Sequence, residues 1–118
     1  MNSNIKLRAR KERNHCQRLS GAGAVSLTVP TTRCTSTGAT QALTLADGKI
    51  IGQRKRIVHA VDGGSVVLTA GAALHLGDSL ATITLAAVRD WIELEWDVVA
   101  GAGAWYLTGW YGTGVTFS

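Results

Sequence analysis

The chain has 118 residues, one domain's length, with 46% hydrophobic residues, 14 glycines and a single proline. That mix suits many short strands joined by glycine turns and argues against a helical bundle. No apolar run approaches the ~20 residues of a membrane span, which excludes a transmembrane helix. The net charge of +4 is unevenly placed. Residues 1–18 hold Lys6, Arg8, Arg10, Lys11, Arg13 and Arg18 against Glu12 alone, whereas residues 19–118 hold six basic and seven acidic side chains. The basicity therefore belongs to an arm, and such an arm suits an acidic surface or a polyanion.

In chain order, residues 1–18 are polar apart from Ile5, Leu7 and Ala9, which alternate with Lys6, Arg8 and Arg10. This stretch can pair as a strand on a partner and is otherwise extended. It has neither the apolar core nor the small-residue cleavage site of a secretory signal. Ser20-Gly21-Ala22-Gly23-Ala24 reads as a joint. The expected division is thus a basic arm and joint over 1–24 and a body over 25–118.

Within the body, residues 25–29 alternate cleanly and stop at Pro30, and 31–40 reads as a Thr-rich loop. Strands are expected over 41–46, 54–61, 65–69 and 80–86. Asp47-Gly48, Asp62-Gly63-Gly64 and Gly77-Asp78 supply the turns between them. Residues 70–76 are ambiguous between a loop and a helical turn. Residues 91–96 form the clearest strand, with Ile92, Leu94 and Trp96 on one face and Glu93 and Glu95 on the other. Residues 98–104 read as a Gly/Ala loop, and 104–108 and 114–117 as closing strands. Seven or eight short strands imply an all-β fold: an antiparallel β-sandwich or jelly-roll-like domain with an extended N-terminal arm. No internal repeat is evident.

Sites of chemistry are sparse. His15, His59 and His75 lie far apart, and no Cys–His spacing fits zinc, so neither a metal nor another cofactor is expected. Asp47, Asp62 and Asp78 each adjoin glycine and read as turn residues rather than calcium ligands. Cys16 and Cys34 read as reduced thiols. Glu93 and Glu95 share a wet strand face without a pocket signature, and no nucleophile elbow or phosphate loop is present. An enzyme is not expected. Arg54 and Arg56 share one strand face, which is either solvated or a subunit contact with Glu93, Glu95 or Asp97 of a neighbour. Trp91, Trp96, Trp105, Tyr106, Trp110 and Tyr111 form a late aromatic group that divides between core and interface. Trp105 and Tyr106 point to opposite faces, which exposes one of them.

The order of short motifs carries a resemblance. Leu45-Ala46-Asp47-Gly48, Gly52-Gln53-Arg54-Lys55-Arg56-Ile57, Asp62-Gly63-Gly64, Val67-Leu68-Thr69, Ile92-Glu93-Leu94-Glu95-Trp96 and Ala104-Trp105-Tyr106-Leu107 together resemble the small β-domains of tailed-phage virion proteins. These are capsid decoration (cement) proteins and head-fibre tips, and the likeness covers residues 40–110. Two places depart from the pattern: residues 98–103 replace a tight turn, and Thr69-Ala70 stands where Thr-Pro is usual.

The resemblance implies a homotrimer and a structural role. The expected function is a phage capsid decoration protein on the virion exterior, assembled in the host cytoplasm. Its partners are its own copies and the major capsid protein, with no membrane partner. Ile5, Lys6, Leu7, Arg8, Arg10, Lys11, Arg13 and Arg18 are the expected capsid-binding residues. Arg54, Arg56, Glu93, Glu95, Trp105, Tyr106 and Trp110 are the expected subunit contacts. A head-fibre or tail-tip receptor-binding protein is the alternative. Nucleic-acid binding through the arm is less favoured, because the body lacks a basic stripe interleaved with aromatics.

Overall fold

The computed structural model describes residues 16–36, 38, 40–61, 64–75 and 79–118, with side chains omitted for 70–75 and 79–81. Among the described residues, ten strands form two five-stranded layers and no helix occurs. They are β1 (Cys16–Ser20), β2 (Gly23–Ala24), β3 (Thr31–Thr35), β4 (Gln41–Leu45), β5 (Arg54–Val61), β6 (Val66–His75), β7 (Ser79–Leu85), β8 (Trp91–Val99), β9 (Ala102–Tyr111) and β10 (Val115–Phe117). The first layer runs β1-β3-β5-β8-β9 and the second β2-β4-β6-β7-β10. A short β6–β9 pairing, Leu74 with Trp105 and His75 with Tyr106, joins them.

The expected all-β sandwich is the architecture observed, but its pairing is mixed rather than wholly antiparallel. From β1 to β6 the chain alternates between layers, and each strand lies parallel on its predecessor in the same layer. The later β5–β8, β6–β7, β7–β10 and β8–β9 pairs are antiparallel.

Alternation decides which side chains enter the core. β4 buries Gln41, Leu43 and Leu45; β5 buries Lys55, Ile57 and His59; β8 buries Ile92, Leu94 and Trp96. Ile57, Ile92, Leu94 and Trp105 of the first layer pack with Leu43, Leu68, Ile83 and Leu85 of the second. Trp105 is fully buried, sets its ring edge-on against Trp96 at 5.4 Å, and donates its Nε1–H to the Ala46 carbonyl at 2.9 Å. Gly48 and Gly103 flank Trp96 so closely that a Cβ on either would collide with the indole. Their glycine identity thus makes room for the Trp96 indole in the core.

Several expected boundaries move. Residues 16–24, assigned to the arm and joint, hold β1 and β2, so the body begins by Cys16. Gln17 anchors this edge: its Oε1 accepts from Ser26 N–H at 2.7 Å and Thr32 Oγ1–H at 2.8 Å, and its Nε2 donates to Ala24 O at 3.0 Å. Residues 25–29 are not a strand but the crossing between layers, and Thr31–Thr35 is strand β3 rather than loop. The ambiguous stretch 70–75 continues β6. The presumed loop over 98–104 is a tight hairpin closed by Val99 opposite Ala102. Its central residues, Ala100 at φ 53° and Gly101 at φ 82°, both take the left-handed conformation that matches strand twist.

Candidate interaction surfaces

The outer face of the first layer is built by the side chains that alternate away from the core. On β5 these are Arg54, Arg56 and Val58; on β8 they are Trp91, Glu93, Glu95 and Asp97. Antiparallel register sets Arg54 opposite Glu95 and Arg56 opposite Glu93. Arg54 approaches Glu95 at 3.4 Å and Glu93 at 3.9 Å. Arg56 lies over the Trp91 ring, 4.6 Å from its centroid. The charges expected to meet across a subunit boundary thus engage within one chain. Register alone accounts for this, because β5 and β8 are neighbours.

Trp105, another expected subunit contact, is core. Tyr106 is half-buried on the opposite face, and Trp110 is 50% exposed with its ring edge-on to Phe117 at 5.8 Å. Of the expected capsid-binding residues, Arg18 is exposed on β1; Ile5, Lys6, Leu7, Arg8, Arg10, Lys11 and Arg13 lie outside the described residues. Asp62, Asp78, His15 and the His75 side chain lie outside them too. Among the described residues, no group of three or more His, Cys, Asp or Glu could hold a metal ion.

Two apolar tips stand at opposite ends of β8 and β9. At one end Ile50 (71%), Ile51 (65%), Val98 (40%) and Val99 (55%) are exposed around the 50–52 turn and the β8–β9 hairpin. The chain places them together because Gly52 N–H donates to Trp96 O at 2.8 Å. At the other end Val88, Trp110 and Tyr111 are exposed. Composition did not signal the first tip, since isolated aliphatics in a β-rich sequence usually read as core.

Buried polar groups line the interior near β3 and β5. Lys55 is 1% exposed and donates to the Val29 carbonyl at 2.7 Å. Burial lowers its pKa from 10.5 to about 8, and the Cys16 and Cys34 thiols oppose the shift. Burial pushes the Cys34 thiol up from 9.0 to about 11, with Lys55 pulling the other way. Both cysteines are free, as expected. His59 is fully buried, with Nε2 3.0 Å from Ser36 Oγ. Ser36 Oγ also approaches the carbonyls of Gly64 at 2.9 Å and Val61 at 3.2 Å. One hydrogen bond thus joins His59 Nε2 and the Ser36 hydroxyl, and buried Nδ1 has no hydrogen-bond partner among the described residues. That makes His59 a structural histidine tying β3, β5 and the following turn together.

No protein-family model matches the chain, and no curated protein matches it.

Proposed function

We propose that this protein is a phage capsid decoration protein: a β-sandwich that assembles as a homotrimer and fastens to the major capsid shell. The observation that carries the reading is the pair of exposed apolar tips at opposite ends of one layer. Contiguous exposed apolar surface marks sites of association. The aliphatic tip suits seating on a second body, and exposed Trp110, edge-on to Phe117, suits contact between copies.

The tips have different neighbours. The chain enters β1 at Cys16, level with Arg56 and Glu93 and towards the Ile50–Val99 end of the layer. The basic arm therefore joins the body on the side of the aliphatic tip, and these two seat on the shell. Trp110, backed by Phe117, then serves the contact between copies. Three arms carried on one trimer engage at high effective concentration, so individually weak contacts add to firm attachment.

The test uses capsids lacking the protein. Full-length protein restores their resistance to heat, whereas the Ile51→Asp/Val99→Asp variant and a chain without residues 1–13 remain in solution as folded trimers. Binding retained by both variants overturns the reading.

A receptor-binding role at a head fibre or tail tip is the second reading. Arg56 lying over the Trp91 ring on the outer face favours it. It predicts loss of host adsorption rather than of shell strength when the protein is removed.

A further inference from the structure

Across the outer face, five residues stand abreast on five adjacent strands: Arg18, Arg33, Val58, Trp91 and Tyr111. At ~4.8 Å per strand the row is about 19 Å long. Its β1–β3 end places two arginines directly side by side, both exposed and neither ion-paired among the described residues. Like charges opposite one another on a sheet repel, and a bound anion relieves that repulsion. Arg18 and Arg33 also line a shallow depression of about 290 Å³ with Thr35, Ala60 and Val61. At the other end Trp91 and Tyr111 stack with ring centroids 6.5 Å apart and planes 20° from parallel. Tyr111 is 61% exposed, and Arg56 braces Trp91 from above.

We propose that this row, with guanidinium groups at one end and a stacked aromatic pair at the other, binds a linear carboxylate-bearing polysaccharide. A uronate carboxylate accepts charge-assisted hydrogen bonds from Arg18 and Arg33. The apolar face of a further sugar lies on the exposed ring of Tyr111. Glu93, Glu95 and Asp97 flank the row on β8 and separate a glycan from a nucleic acid. Both ligands are anionic, but sugar hydroxyls donate to these carboxylates, whereas a DNA phosphodiester backbone has no hydroxyl to donate. The row also stays open in an assembly built on Trp110, because Trp110 and Tyr111 alternate to opposite faces of β9.

Calorimetric titration of the full chain tests the assignment with three probes: oligogalacturonate, its methyl ester, and oligothymidylate. The acid oligosaccharide binds and its neutral ester does not. Arg18→Gln/Arg33→Gln weakens binding at least about tenfold, the loss expected from two charge-assisted hydrogen bonds. Tyr111→Ser, a change at an exposed ring, weakens binding independently and guards against misfolding of the arginine variant. The loss caused by Arg18→Gln/Arg33→Gln persists in a chain that also carries Lys6→Gln, Arg8→Gln, Arg10→Gln and Lys11→Gln. Equal binding of the methyl ester, tighter binding of oligothymidylate, no binding of the acid, or a loss that follows the arm charges would each overturn the assignment.

Discussion

Replacing Lys55 with Met tests the buried amine directly. Lys55 is 1% exposed, and its pKa falls from 10.5 to about 8, a difference worth about 3 kcal/mol at ~1.4 kcal/mol per unit. The folded state thus holds the charged lysine at a cost that is fully present below pH 8. Between about pH 8 and 10.5 the unfolded chain binds the proton and the folded chain does not, so this group makes stability rise with pH. Lys55→Met removes the charge but leaves the Val29 carbonyl without its donor, at a cost of about 1–3 kcal/mol. At pH 7 the variant is therefore as stable as the parent or up to ~2 kcal/mol more stable.

The pH series discriminates further. From pH 8 to 9 the parent gains about 1 kcal/mol on the variant. Above pH 9 the buried Cys34 thiol acts in the opposite sense, because its folded-state pKa of about 11 lies above the ordinary 9.0. Urea unfolding at pH 7, 8 and 9 measures the difference below that window. A parent–variant difference that stays flat from pH 7 to 9, or a Lys55→Met variant destabilised by more than the lost hydrogen bond, would refute the reasoning.

Three further outcomes follow from the core. Gly48→Ala drives a methyl group into the Trp96 ring, and overpacking of this kind lowers stability by about 1–3 kcal/mol, read as a fall in Tm. Ser36→Ala takes the hydroxyl donor from the Gly64 carbonyl and the partner from buried His59 Nε2, while Val61 O keeps its bond from Ser36 N–H, and costs about 1–3 kcal/mol in denaturant unfolding. Cys16 is partly exposed and reacts with a thiol reagent at pH 8 in the folded protein. Cys34 is buried with its thiol pushed up to about 11, and reacts only on unfolding.

Strand positions were legible wherever alternation is strict. The expected strand over 54–61 is β5, and the Trp91–Trp96 face assignment holds residue by residue, because one wet and one buried face leave a period of two in the sequence. Pairing was not legible. Asp47-Gly48 marks a turn, but nothing local tells a hairpin from a crossing to the other layer, and here the chain crosses. The parallel coils also escaped detection as a repeat: corresponding residues Cys16, Thr31 and Arg56 are unequally spaced. Thr31–Thr35 read as a loop because its inward residues are Thr32 and Cys34, small side chains with a weak hydropathy signal.

The surfaces divide similarly. Arg54, Arg56, Glu93 and Glu95 were visible as a charged face, but register pairs them within the chain. The Arg18–Arg33 pair could not be seen, since it depends on a parallel pairing between residues assigned to an arm and to a loop.

Sedimentation equilibrium of the full-length protein at micromolar concentration tests the claim of self-assembly most directly. The account predicts a species of three times the 12.4 kDa chain mass, reduced to a folded single chain by Trp110→Ser. A parent protein that sediments only at 12.4 kDa would contradict it.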